Sequence, residues 1–293
     1  MNNSFNSLFK ALLCGGMMLA ANVQCEKMNL SADDADANVT IRIASYEQMP
    51  FPARTRASAE EVCTRLCFHV YDDDGVKVDY ANQKIDGETF GTAFFTLEKG
   101  HYFIVVVGHS AANNPSFYAN ERVTISGSDL GDTFWCVKEI NVDSDRIEET
   151  LTLKRIVSKI CFIPTDAIPS DLYQIIFEYK GSKGTFDGLT GYGSTNVKQK
   201  VILDVSPDDH QYSFFMIPRS ESDAFDIDIK TYGWNNKNGV IPLFSKMVAN
   251  VPVERNRITI CRGNLFDNVS SDSSFKIDVI IDDTWGSNIE YDF

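Results

Sequence analysis

The sequence predicts an all-β protein that folds as two tandem β-sandwich domains. Short apolar runs with strand periodicity recur along the 293 residues, and no long stretch has the helical period. The chain is too long for one small sandwich, and a hydrophobic fraction of 43% is sufficient for two cores. A change in the strand pattern near Arg155 separates these runs into two groups.

That change of pattern fixes the predicted domain boundary. Apolar residues occupy the odd-numbered positions 151 and 153 and then the even-numbered positions 156, 160 and 162. In an extended chain, such a one-residue shift moves the buried set to the other face of the strand. No Gly/Ser/Pro linker intervenes, so the two domains are expected to be rigidly stacked. The predicted units are a signal peptide, an acidic tether and two sandwiches, in that order: 1–24, 25–37, 38–154 and 155–293.

The charge balance excludes one class of partner. The chain has 27 Lys and Arg residues against 41 Asp and Glu residues, which gives a net charge of −14. Proteins that bind nucleic acid through its phosphates need clustered basic residues, and this chain has none. The acidic balance instead suits an exported surface protein.

The N-terminus is predicted to be an export signal. Lys10 is followed by an apolar run over residues 11–23, too short for a membrane-spanning helix, which needs about 20 apolar residues. Two processing sites remain open at its end. Signal peptidase would cut after one of the small residues Ala20 and Ala21. Alternatively, Cys25 becomes the mature N-terminus and carries lipid.

The first strand of the predicted fold follows the tether. Residues 38–43 alternate between polar and apolar side chains, so Val39, Ile41 and Ile43 are expected to face inwards. A polar loop that carries Arg54 and Arg56 comes next.

The most strongly apolar strand of the first domain comes later. The run 101–109 is apolar on both faces and rich in β-branched and aromatic residues, which predicts a central strand buried on both sides. Gly100 separates it from the run 94–97, and this spacing predicts a hairpin in which Gly100 adopts a positive φ.

The cysteines beyond Cys25 are predicted to be buried free thiols. Their number is odd, they form no Cys-x-x-Cys motif, and they lie in apolar, strand-like runs. These residues are Cys63, Cys67, Cys136, Cys161 and Cys261.

No motif in the sequence selects a catalytic, metal or cofactor site. The four histidines are scattered, and neither a His-Glu-x-x-His motif nor a Gly-x-Ser-x-Gly motif occurs. The acidic segment 72–75 lacks the remaining ligands of an EF-hand and is interpreted as a hairpin turn. The glycine-rich segment 181–193 lacks the Gly-Lys-Ser/Thr ending of a phosphate loop. A non-enzymatic protein without cofactor or small-molecule substrate is expected, although a catalytic triad assembled from distant strands stays open.

The order of these features resembles the fimbrial anchor (FimB-type) subunits of Bacteroidales, the base component of type V pili. The residues that carry the resemblance span most of the chain: Cys25 with its tether, 38–43, 66–71, Asp74-Gly75, 90–92, Leu97, Gly100, Tyr102, 107–110, 132–134, 153–156, 191–193, 255–259 and 263–266. The resemblance implies two transthyretin-like β-sandwich domains, export as a lipoprotein, and attachment of the fimbria to the outer membrane. A bacterial lipobox has an aliphatic residue three positions before the cysteine and a small residue directly before it. This chain has Asn22 and Gln24 at those two positions, respectively.

The resemblance also implies a mechanism of assembly by strand donation, in which an extended segment of one subunit completes the sandwich of the next. In stalk subunits, an arginine-specific protease removes the first strand and opens the acceptor groove. An anchor held through Cys25 must keep that strand, so cleavage after Arg54 or Arg56 is not expected to be productive here. The expected partners are a fimbrial stalk subunit and the outer membrane.

The C-terminal tail is the candidate donor strand. Its alternating apolar residues are Phe275, Ile277, Val279 and Ile281. Alternation marks a half-buried strand without indicating whose core it enters, so the tail is equally compatible with the last strand of its own sandwich. Two alternative functions also remain: a tip or adhesive subunit of the same pilus, and a surface glycan-binding β-sandwich lipoprotein.

Overall fold

The computed structural model describes residues 37–47, 63–119, 121–126, 130–143, 146–206, 208–234, 241–266 and 276–281. For Glu47 and for the last of these ranges it describes the backbone alone. The described chain consists of β-strands and connecting segments and contains no α-helix. It therefore contains no helix that is long and apolar enough to cross a membrane.

The strands fall into two halves of the chain. Those of the N-terminal half are β1 (Val39–Glu47), β2 (Arg65–Asp72), β3 (Lys77–Lys84), β4 (Thr92–Phe95), β5 (Gly100–His109), β6 (Ser116–Phe117), β7 (Arg122–Thr124), β8 (Thr133–Val142) and β9 (Ile147–Arg155). Those of the C-terminal half are β10 (Ser158–Pro164), β11 (Leu172–Gly181), β12 (Thr185–Asp187), β13 (Val197–Asp204), β14 (Tyr212–Met216), β15 (Asp223–Gly233), β16 (Phe244–Val253), β17 (Arg257–Gly263) and β18 (Lys276–Ile281).

The two halves repeat the same strand arrangement. The N-terminal half forms a seven-stranded sheet in the order β3-β2-β5-β8-β9-β1-β4. The C-terminal half forms two sheets, β13-β11-β15-β16 and β14-β10-β17-β18. In each half the first strand is parallel to a late strand on one side and antiparallel to another strand on the other, so β10 corresponds to β1. β18 is the additional strand of the C-terminal half.

Each half encloses its own hydrophobic core, since alternate residues of its strands point to the same side. One core includes the fully buried Ile41, Phe68 and Ile104 of the N-terminal half. The other includes the fully buried Phe162 and Phe177, whose rings stack with centroids 4.9 Å apart.

A third core lies between the halves. The three-stranded sheet β12-β7-β6 combines two strands of the N-terminal half with one of the C-terminal half. Beneath it, Val105 and Trp135 pack in one buried cluster with Phe186 and Ile217. Only Ile156 and Val157 separate β9 from β10.

The central strand is confirmed, and the hairpin before it is wrong. In β5 all residues from 104 to 109 are buried, because one face joins the N-terminal core and the other joins the core between the halves. β4, however, pairs with β1, whereas β5 pairs with β2 and β8. The connection therefore crosses between non-adjacent strands, and Gly100 does not have a positive φ.

The buried thiols are also confirmed. Of the five cysteines between 63 and 261, four are buried and Cys136 alone is partly exposed. The sequence did not predict β16, in which Lys246, Asn250 and Pro252 interrupt the apolar pattern and Asn250 adopts a positive φ of 54°.

Candidate functional site

The first strand is enclosed on both sides. β1 pairs in parallel with β9 and in antiparallel with β4, and its Val39 and Ile41 are fully buried. Ile43 is partly buried and packs against the same core. Removal of β1 would therefore expose apolar side chains and leave backbone donors and acceptors of both β4 and β9 without partners.

Both ends of β1 are held by side chains. Asn38 precedes it and exchanges two hydrogen bonds with the backbone of Leu97: its Nδ2 donates to the carbonyl at 2.8 Å, and its Oδ1 accepts from the N–H at 2.9 Å. Near the other end, the ring of Tyr46 packs edge-on against Phe134 with centroids 4.9 Å apart. The Tyr46 hydroxyl lies 3.0 Å from the Sγ of Cys63.

Burial favours the neutral forms of both Tyr46 and Cys63. Burial raises the pKa of the Cys63 thiol to about 11, although its hydrogen bond with Tyr46 acts in the opposite direction. Burial likewise raises the pKa of the Tyr46 phenol. Both groups stay neutral at physiological pH, so Cys63 has none of the thiolate character that a nucleophile requires.

The predicted donor segment lies on the edge of its own sheet. β18 pairs in antiparallel with β17, and its Ile277, Val279 and Ile281 are opposite Cys261, Thr259 and Arg257 in the register. Cys261 and Thr259 are both fully buried.

Several predicted features lie outside the described residues. They are the signal peptide, the tether up to residue 36, Cys25, Arg54, Arg56 and Phe275.

Segments that carried the sequence resemblance meet at the junction between the halves. The guanidinium of Arg155 donates two hydrogen bonds to the Asp132 carboxylate, at 2.7 and 2.9 Å, and lies over the ring of Phe134. It also donates to the Oδ1 of Asn256 at 2.6 Å, and the Asn256 N–H donates to the carbonyl of Val157. A partly buried, bidentate ion pair of this kind fixes orientation as well as distance.

A second group of contacts closes the junction from the other side. The indole N–H of Trp135 donates to the carbonyl of Gly188 at 2.6 Å. A Cβ on Gly191, whose φ is +69°, would lie 2.9 Å from the same indole ring. The Arg255 guanidinium covers the ring of Tyr192 at 3.3 Å and donates to the carbonyl of Thr190 at 2.7 Å.

The glycine-rich segment 181–193 thus has a structural role that the sequence did not predict. It contributes β12 to the sheet between the halves and brings its backbone within van der Waals distance of Trp135. One feature of the sequence could have predicted this role. The segment is rich in glycine but lacks a phosphate-loop ending, and glycines outside such a loop often allow close packing of the backbone.

The described residues offer no arrangement suited to metal binding. They contain no group of three or more His, Cys, Asp or Glu side chains that could hold a metal ion. In the acidic turn, the Asp72 carboxylate accepts hydrogen bonds from the N–H groups of Asp74 and Val76, and Gly75 has a φ of +70°. The segment forms the predicted hairpin turn between β2 and β3.

The histidines are dispersed, as two examples show. The ring of His101 bridges the carboxylates of Asp73 and Glu139, and these hydrogen bonds raise its pKa. His69 lies elsewhere, beneath Phe117, and burial lowers its pKa to about 3.

The chain belongs to a family of unknown function (DUF6562), whose model matches residues 31–293. No curated protein matches the sequence significantly. Solved structures with a similar chain path include the fimbrial anchor protein Mfa2 of Porphyromonas gingivalis, with 11% identity, a TM-score of 0.49, and coverage of 83% of this chain and 96% of that one. The tip fimbrial protein Mfa3 of Porphyromonas gingivalis, with a C-terminal truncation, has 12% identity, a TM-score of 0.42, and coverage of 82% and 98%.

Proposed function

We propose that this protein is a fimbrial anchor subunit, tethered to the outer membrane through lipid on Cys25, that joins and terminates the fimbrial shaft by strand pairing. The observation that carries the proposal is the contrast between its two terminal strands. β1 pairs with β9 along its length and with β4 over residues 39–42, and it contributes fully buried side chains, whereas β17 is the one partner of β18 among the strands that the structure describes.

That contrast assigns different roles to the two strands. Detaching β1 would break two ladders of hydrogen bonds and open the N-terminal core, which costs far more than the release of a strand from a sheet edge. β18 can exchange its ladder with β17 for an equivalent one in another subunit, because strand addition replaces main-chain hydrogen bonds one for one. Retention of β1 and donation of β18 are the two properties that a terminal, membrane-held subunit requires.

The state of the mature N-terminus tests the anchor role. We expect mass spectrometry of the protein from cell envelopes to find a diacylglyceryl or triacylated Cys25, with β1 still in the chain. A chain that starts after Arg54 or Arg56 would contradict the anchor and support the alternative of a tip or other polymerising subunit. A chain cut after Ala20 or Ala21 would contradict the lipid tether.

A disulfide lock tests donation by β18. Cys261 lies opposite Ile277 in the register, and opposite residues in antiparallel strands are within disulfide distance. In Ile277→Cys, oxidation should hold β18 on β17, so that fimbriae no longer co-purify with the protein until a reductant is added. The matched control is Ile277→Cys combined with Cys261→Ser, which should retain fimbriae under both conditions. Normal retention by the oxidised lock would exclude β18 as the donor.

The glycan-binding alternative receives no support from the tryptophans whose positions are described. Trp135 is buried at the junction, and Trp234 lies on β15's C-terminal flank in the other half. The two side chains therefore do not line a common face.

A further inference from the structure

The C-terminal half carries an exposed apolar patch at one end. Trp234 is 52% exposed, Ile241 is 76% exposed and Leu243 is 40% exposed. The ring of Tyr173 lies beside that of Trp234, with centroids 4.6 Å apart. These four residues are called the end patch below. Large apolar side chains grouped in this way on a surface are typical of interaction sites.

The end patch is connected to the segment that leads into β18. The loop between β10 and β11 holds both: the carbonyl of Asp171 accepts the Trp234 N–H at 3.0 Å, and the carboxylate of Asp166 accepts the N–H of Phe266 at 2.7 Å. Phe266 also packs edge-on against Phe244, the residue after Leu243, with centroids 6.5 Å apart. Phe266 is the last described residue before β18, so the end patch lies near the residue after which the connection to β18 begins.

The direction of the strands places the patch at the end from which a released β18 would project. β10 starts next to the junction and ends at Pro164, opposite Gly263 at the end of β17. β18 begins at Lys276, opposite Arg262, and runs back towards the junction. A β18 that detaches from β17 while remaining joined through its N-terminal side therefore extends beyond the end that carries the patch.

We propose that the end patch is the docking surface for the fimbrial subunit that receives β18. This inference rests on the proposed function and adds a second contact to it. A donated strand alone leaves two subunits joined by one extended segment, whereas a docked apolar surface fixes their relative orientation. Tryptophan and tyrosine supply large contact areas at low entropic cost, and they are enriched among the residues that dominate binding energy.

Site-specific photo-crosslinking in fimbriated cells tests this inference. We would place p-benzoylphenylalanine at position 234, at position 277 within β18, and at position 197 as a control. Val197 is 56% exposed, similar to Trp234, but lies opposite Gly181 at the other end of the same half. We expect positions 234 and 277 to crosslink to the same subunit, identified by its peptides, and position 197 not to crosslink to it.

Each outcome of this experiment decides between the two proposals. If position 277 crosslinks to a fimbrial subunit and position 234 crosslinks to nothing, to glycan or to the chain's own C-terminus, the docking surface is wrong and donation stands. If position 277 forms no crosslink between subunits, donation fails and the docking surface with it. As a second measurement, Trp234→Ser combined with Leu243→Ser should reduce fimbria retention about tenfold or more, whereas Val197→Ser should not.

Discussion

His69 lies between two aromatic rings, with the ring centroids of Tyr80 and Phe117 at 5.4 and 3.5 Å. It is 4% exposed, and the Asn82 side chain, which favours the protonated ring, offsets the effect of burial on its pKa only in part. Burial, followed by the charge of Lys77, lowers its pKa from 6.5 to about 3. The folded protein therefore keeps this imidazole neutral at a pH where the unfolded chain protonates it.

Stability should consequently fall as the pH is lowered through 6.5. Between that value and the folded-state pKa, the unfolded state binds more protons, so the free energy of unfolding rises with pH and is lost on acidification. For His69 the loss between pH 7 and pH 5 is about 2 kcal/mol. His69→Phe preserves the ring stacking and should lose about 2 kcal/mol less than the wild type over that range, measured by urea unfolding.

His101 is the control for this prediction because its pKa is shifted in the opposite direction. Its hydrogen bonds to Asp73 and Glu139 raise its pKa, so its contribution is present below 6.5 and is lost as pH rises through the folded-state pKa. His101→Gln should therefore not reduce the loss of stability on acidification. A pH dependence that is identical in the wild type and in His69→Phe would contradict the assignment to His69.

At the scale of the element, strand pairing and side-chain burial together make β1 difficult to remove. Its side chains differ in burial along the strand: Ile41 is fully buried, whereas Ile43 lies beside a register irregularity and is partly exposed. Of the two isoleucines, the one in the N-terminal part of the strand, near the two hydrogen bonds of Asn38, is therefore the more completely buried.

Truncation of these two isoleucines should separate their contributions. Ile41→Ala removes side-chain volume from a closed core and should lower the free energy of unfolding by about 2–5 kcal/mol. Ile43→Ala is the matched control and should cost clearly less, because water already reaches that site. Equal losses in chemical denaturation would contradict the described placement of β1.

The alternating pattern of residues 38–43 predicted β1, and the unbroken apolar run of residues 101–109 predicted β5. Both predictions were possible because the residue pattern of a strand depends on whether one or both of its faces are buried. The position of β4 was not predictable in the same way, since a short connection around Gly100 is compatible both with a hairpin and with a crossover. β16 was missed because Pro252 and Asn250 are unfavourable in strands, and its pairing with β15 outweighs them. The sequence of β18 does not indicate whether it pairs with a strand of its own chain or of another subunit, because strand pairing depends on the partner strand as well as on the segment itself.

At the scale of the whole molecule, the junction makes the two halves mechanically dependent on each other. They share a sheet, a buried cluster and the hydrogen bonds of Arg155 with Asp132 and Asn256. In the proposed anchor, a shaft attached to the C-terminal half would transmit load through these contacts to the tether on the N-terminal half. The sequence indicated the direct connection at Arg155, but not the sheet, because β7 and β12 are too short to carry a periodic signal.

Weakening the junction should uncouple the unfolding of the halves. Trp135→Ala removes the side chain that packs on Gly191 and donates to Gly188, at a cost of about 3–5 kcal/mol. Because each half has its own core, we expect one calorimetric transition in the wild type and two in this variant. Trp234→Ala, which truncates a half-exposed tryptophan, should retain the single transition. A single transition for Trp135→Ala, shifted to lower temperature, would contradict the central role of this side chain and would mean that the remaining junction contacts, among them the shared sheet and the hydrogen bonds of Arg155, are sufficient to couple the halves.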